Sequence, residues 1–167
     1  IEFALPPTEG LREVLVTLSN PASAEITRLP QVLFMIPYEI ETTLIQKGDV
    51  WRYFKGTSEP PANWNDLGFN DGGWLSGATG IGYEKETGYG PCIATNLTDM
   101  QNSYYSVYAR KLFQIEDPSR VTRLTFTMEF DDGYIAYLNG TRVDSYYPPT
   151  IVAYNQPAGG SHEAACG

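Results

Sequence analysis

Two short β-runs meet at Asn139-Gly140, and that junction constrains the chain more than any other feature. Tyr134-Ile135-Ala136-Tyr137-Leu138 leads in and Thr141-Arg142-Val143 leads out. Asn-Gly is the strongest two-residue hairpin signal, because a type I′ turn needs positive φ at both central residues. Just upstream, Leu124, Phe126, Met128 and Phe130 alternate with Thr125, Thr127 and Glu129. That period of two predicts a half-buried strand with one wet face. Asp131-Asp132-Gly133 between the runs predicts a turn. No stretch of useful length carries a helical period, so the expected class is all-β.

Other runs agree. Asp49–Phe54 reads as an aromatic strand, Ile81-Gly82-Tyr83 as a short one, and Tyr104–Phe113 as a longer one. Towards the N-terminus, Arg12–Ser19 alternates with Val14, Val16 and Leu18 on one face, and Gln31–Ile36 and Thr42–Ile45 are apolar and β-branched. Residues 56–73 and 84–101 read as loops rich in Gly, Pro, Asn and Asp. With 16 Gly, 12 Pro and 13% aromatics, turns are frequent and strands well supplied. An apolar fraction of 42% against 19% charged residues excludes a disordered chain. The expected organisation is an N-terminal β extension or end of a preceding domain over residues 1–43, then a β-sandwich domain over 44–167.

Charge removes several functions. The formal net charge is −9, which argues against nucleic acid or an anionic membrane surface as partner, since phosphate is held by Lys and Arg. No apolar run approaches the roughly 20 residues of a membrane-spanning helix. One His and two Cys exclude a Cys/His zinc cage. Cys92 and Cys166 are either two free thiols or one disulfide tying the tail to a central loop in an oxidising compartment. Low Lys content, many Tyr, Thr and Asn residues, and the acidity favour a secreted or cell-surface protein. The sequence begins at Ile1 rather than Met, and no signal peptide is visible.

From Leu44 onward the landmarks resemble jelly-roll, galactose-binding-domain-like modules of large secreted or surface proteins of environmental bacteria. The matching residues are Trp51-Arg52-Tyr53, Trp64, Phe69-Asn70-Asp71-Gly72-Gly73-Trp74-Leu75-Ser76-Gly77, Ile81-Gly82-Tyr83, the strand Tyr105–Phe113 with Arg110, and Asp131-Asp132-Gly133 through Asn139-Gly140 to Val143. The resemblance implies a jelly-roll β-sandwich and a non-catalytic carbohydrate-binding or adhesion role. The closing strands of such modules have no counterpart, so either the domain is incomplete at its C-terminus or the N-terminal strands supply the missing pairing, within the chain or from a neighbour. That gap keeps two alternatives open: a structural subunit of an extracellular filament or surface assembly held by β-strand donation between neighbouring copies, and a spacer domain of a larger secreted enzyme.

Sugars present C–H faces that stack on aromatic rings, with polar groups fixing their hydroxyls. The aromatics in polar loops are therefore the candidates for a glycan or surface polysaccharide: Trp64, Tyr89, Tyr146 and Tyr147. For Trp64 a core position is an equal alternative, and Trp51 and Trp74 read as core. Asp71, Asp131 and Asp132 are the candidate oxygen donors for a structural Ca²⁺, the alternative being solvated loop carboxylates; no cofactor is required. No enzyme activity is expected. Adjacent Asp131 and Asp132 point to opposite sides of an extended chain and do not form an acid–base pair. His162 sits in a Gly-Gly-Ser-His-Glu tail with no nucleophile context. Asn96-Leu97-Thr98 and Asn139-Gly140-Thr141 match the N-glycosylation pattern.

Overall fold

A computed structural model describes residues 40–85 and 90–165. The chain divides between Thr42 and Thr43 into two units, and the account below concerns the second. The expected strands Arg12–Ser19 and Gln31–Ile36 lie outside the described residues.

The described residues are all-β, with seven short strands and only two single-turn 3-10 segments, Gly90–Cys92 and Pro118–Arg120. β1 (Val50–Lys55) is central in a three-stranded antiparallel sheet, flanked by β2 (Leu75–Ala78) and β5 (Val107–Arg110). β3 (Ile81–Gly82) pairs in parallel with β4 (Thr95–Asn96). β6 (Tyr134–Leu138) and β7 (Thr141–Tyr146) form the expected hairpin, with φ of 49° at Asn139 and 81° at Gly140, both left-handed as a type I′ turn demands. The register slips after Ala136, which faces Asp144, to Tyr137, which faces Arg142. Val143 is the extra residue, a bulge that sharpens the local twist.

The two faces of β1 bury different things. The buried hydrophobic side chains are Tyr53 on β1, Leu97, 2% exposed, and Tyr104, with Tyr53 close enough to Tyr104 to act on its phenol. There Lys55 Nζ bonds both oxygens of Asp99 at 2.9 and 2.7 Å, and Tyr104 Oη donates to Asp99 at 3.3 Å. Phe54, on the opposite face by strand alternation, joins an aromatic cluster with Trp74 at 5.5 Å and Tyr108 at 6.3 Å between ring centroids.

Several elements depart from the sequence expectation. Residues 124–130 form no strand: Leu124, Phe126 and Met128 are exposed, Phe126 at 56%, and only Phe130 is half-buried. Alternation creates an apolar edge, but a strand also needs a partner for its backbone N–H and C=O groups, and no described strand pairs with this one. Thr42–Ile45 is likewise not a strand, and the Tyr104–Phe113 run pairs only over Val107–Arg110. Conversely, β4 lies within the 84–101 stretch that reads as loop, and β2 follows the 56–73 loop where no strand is expected. β2 exists through its register, Trp51 facing Gly77 and Arg52 facing Ser76. No helix of the described residues is long and apolar enough to cross a membrane.

Candidate functional site

The described part holds two aromatic groups, and they differ in how far they are closed. The first is built around Arg110. Its register partner on β1 is Arg52, and two like charges directly opposite would repel. Asp71 answers both, with Arg110 Nε at 3.2 Å and Arg52 Nε at 3.9 Å. Arg110 is only 8% exposed. Its Nη1 also donates to the carbonyls of Trp64 and Asp66, the latter at 2.9 Å, and its guanidinium lies 5.1 Å over the Phe69 ring. One planar fork thus ties a loop of tight turns to the sheet. Trp64 stacks on Trp74 at 6.2 Å and 26°, and meets Tyr108 at 5.1 Å and Tyr137 at 5.5 Å edge-on. The last contact seats the β6–β7 hairpin on this cluster.

Trp64 therefore sits half-buried among three other rings. Asp71 is committed to two arginines. Among the described residues no group of three or more His, Cys, Asp or Glu side chains is arranged to hold a metal ion, so Asp71, Asp131 and Asp132 do not converge on one site. Tyr89 lies outside the described residues. Cys92 is disulfide-bonded; Cys166 lies outside the described residues.

The second group lies at the far end of the hairpin and is open. Tyr146 and Tyr147 are 42% and 43% exposed, with ring centroids 4.5 Å apart in an edge-to-face arrangement. Phe130 approaches Tyr134 at 4.7 Å and Tyr146 at 5.3 Å, and the His162 ring stacks on Phe130 at 4.2 Å and 17°. His162 Nδ1 lies 3.1 Å from the Phe130 carbonyl, and its own carbonyl accepts from Asp132 N at 2.7 Å. The tail thus returns alongside the 130–132 turn.

Backbone contacts fix the tyrosine pair. A Cβ on Gly133 would lie 2.7 Å from the carbonyl oxygens of both Tyr146 and Tyr147, so only glycine admits this approach. A Cβ on Gly160 would come within 2.7 Å of the Tyr147 ring, and Gly159 N donates to Tyr147 O at 2.8 Å. Tyr147 itself has φ of 42°. A bulky side chain in the left-handed region costs roughly 1–3 kcal/mol, and such residues cluster at ligand-contacting positions.

Two carboxyl groups of this end of the domain are shifted in opposite directions. Tyr134 Oη donates to Asp144 at 2.6 Å, which holds the Asp144 carboxyl below its ordinary range, with the Ser145 amide and the Arg142 charge adding to the effect. Asp131 moves the other way: partial burial raises it, and the charges of Asp132, Glu163 and Glu84 raise it further. Tyr146 is raised by its hydrogen bond with Tyr147.

Sequence reasoning reached Tyr146, Tyr147, Asp131 and Asp132 but assigned no part in the site to Phe130, Tyr134, Asp144 or His162. Phe130 closes an alternating run and His162 stands far along the chain, so no local pattern joins them. Arg110 carried a signal, a cation beside Lys111 in an aromatic strand. Comparison with protein-family models, with curated proteins and with solved structures finds no match.

Proposed function

We propose that this chain is a non-catalytic carbohydrate-binding or adhesion module of a secreted or cell-surface protein, built as a jelly-roll sandwich. The observation that carries the reading is the adjacent, half-exposed pair Tyr146 and Tyr147, held rigid by Gly133, Gly159 and Gly160. Rigid exposed rings suit the C–H face of a sugar, and nearby carboxylates accept from its hydroxyls. The disulfide at Cys92 supports an oxidising compartment. A glycan array followed by calorimetry tests the reading. Tyr147→Ala is expected to stay folded and lose glycan binding at least tenfold, whereas Trp64→Ala is expected to lose stability and keep affinity in its folded fraction. Failure to bind any glycan, or binding unchanged in Tyr147→Ala, overturns it.

A second reading has its own observation. Leu124, Phe126 and Met128 are exposed on a segment that pairs with no described strand, as suits a subunit assembled by strand donation between copies. Light scattering with negative-stain imaging tests it: filaments or rings support assembly, and a monomer at high concentration removes it.

A further inference from the structure

From the order of charges along the exposed segment 123–129, we infer that it pairs antiparallel with the same segment of a second copy, with Phe126 on the twofold axis. This rests on the second reading, assembly between copies, and names the contact that makes it.

Two observations meet in the segment. The first is an unpaired backbone beside an apolar row. Residues 123–129 form no helix or strand and all are exposed, and among the described residues none of their backbone groups makes a hydrogen bond. Leu124, Phe126 and Met128 fall on one face once such a run is paired as a strand. Strand addition uses free N–H and C=O groups with alternate apolar side chains. The second observation is the charge order. Arg120 and Arg123 stand before the apolar row, and Glu129, Asp131 and Asp132 after it; all five are exposed. Among the described residues Arg123 has no ion pair. Glu129 spends one oxygen, Oε2, on Ala165 N at 3.1 Å. Asp117, further back, caps its own turn at Ser119.

A chain that is basic at one end and acidic at the other complements itself only antiparallel. Pairing about Phe126 sets Leu124 against Met128 and Phe126 against its own copy on one face. On the other face Thr125 meets Thr127 and Arg123 meets Glu129. Apolar side chains meet apolar ones, and each dimer gains the Arg123–Glu129 pair twice. A parallel pairing in register would lay Arg123 on Arg123 and Glu129 on Glu129. Moving the axis to Thr127 would call on Phe130 to face Leu124. Phe130 is already half-buried against Tyr134, Tyr146 and His162, and its carbonyl lies 3.1 Å from His162 Nδ1. The contact uses one patch on both copies, so it closes as a dimer.

The test is sedimentation velocity on the full chain over a concentration series, with melting temperatures to confirm that each variant folds. The variants are Phe126→Asp, Arg123→Glu, Glu129→Arg and the double reversal of the last two. The unsubstituted chain is expected to dimerise with rising concentration. Phe126→Asp sets two carboxylates against each other on the axis and is expected to stay monomeric. Each single reversal places like charges opposite one another twice, and is expected to weaken the dimer at least about tenfold. The double reversal is expected to return to within about threefold of the unsubstituted chain, because the pair is restored with its signs exchanged. Should Phe126→Asp not fold, the reversal set decides alone. A double reversal no better than the singles, or a dimer, filament or ring untouched by Phe126→Asp, overturns this pairing and leaves assembly through another surface. A monomer at every concentration removes the pairing and the assembly reading together; a melting temperature lowered by Phe126→Asp would then mean that the segment is covered within one chain.

Discussion

Two aromatic groups in one domain have been treated differently by the chain. Around Arg110 every charge shown is answered: Asp71 serves two arginines, and three carbonyl or carboxylate groups from one loop serve one guanidinium. Its rings face each other. At the hairpin end Tyr146 and Tyr147 are half-exposed, Asp131 feels neighbouring like charges, and a tyrosine stands in a left-handed backbone. The contrast separates a closed group from an open one, and it sorts the candidates: Trp64 and Asp71 belong to the closed group, Tyr146 and Tyr147 to the open one, with Asp131 and Asp132 in the turn beside it.

The largest effect that would break the comparison lies at Arg110. Removing one partner of a buried ion pair typically costs about 3–5 kcal/mol, because the other partner is left unanswered. Arg110→Ala is expected to approach the lower end, with Asp71 partly exposed and the 64–71 loop released. Urea unfolding checks it. Arg110→Lys keeps the charge but loses the fork that reaches two carbonyls, so it is expected to recover only part of the loss. Full stability in Arg110→Ala would mean the first group is not the scaffold.

The next effect separates the two groups directly. Trp64→Ala removes a ring in contact with three others and is expected to cost about 2–3 kcal/mol, below the range for fully buried Trp. Tyr147→Ala removes a ring with one open face and is expected to cost about 1 kcal/mol or less. Thermal melts of the pair, read beside their glycan affinities, should show opposite ranking: stability lost in one, binding lost in the other.

How much of this could be read from the chain depends on which interactions were local. The β6–β7 hairpin was legible because Asn139-Gly140 encodes its own turn. β1 was legible from Trp51-Arg52-Tyr53-Phe54. β2 was not, since Leu75-Ser76-Gly77-Ala78 has no strand-forming side chains and becomes a strand only beside Trp51 and Arg52. The run from Leu124 to Phe130 misled in the opposite sense: its side chains fit a strand, but its backbone has no described partner. The same division holds for the site. Loop tyrosines announce themselves, whereas the stacking of His162 on Phe130 joins segments that share no pattern. Trp64 was ambiguous because a tryptophan between Asn63 and Asn65 looks the same whether its ring is covered or open.

Acid and alkaline titrations sharpen the comparison through the signs of their slopes. Asp99 is lowered, chiefly by its hydrogen bond from Lys55. Its folded form binds fewer protons than the unfolded chain, so its contribution is present above the ordinary value of 3.8 and is lost as pH falls below it. Asp131 is raised, so its folded form binds more protons. Its effect destabilises increasingly as pH rises from 3.8 through the raised value. Asp99→Asn is therefore expected to lower the melting temperature at neutral pH, and Asp131→Asn to raise it. On the alkaline side, burial and then the Asp99 charge push Tyr104 up to about 12. Its neutral form is favoured by folding, so stability is expected to fall between pH 10 and 12 as the phenol ionises. Absorbance of the phenolate against pH follows that step, and an ordinary titration near 10 would mean Tyr104 is not enclosed.

The smallest expected effect tests whether the open face is organised at all. Tyr134 Oη donates to Asp144, and that bond is the first cause of the lowered Asp144 carboxyl and of the raised Tyr134 phenol. Both groups stand in solvent, where a single such bond contributes little to stability. Tyr134→Phe is therefore expected to leave the melting temperature nearly unchanged. Its consequence is local: the Asp144 carboxyl should rise towards 3.8, visible as a shifted titration midpoint in carboxyl-carbon NMR. Asp144 would then keep only the Ser145 amide and the Arg142 charge to hold it down. An unmoved midpoint would mean the phenol and carboxylate do not meet in solution. The face would then be a set of independent side chains, unable to present rings and charge together to one ligand.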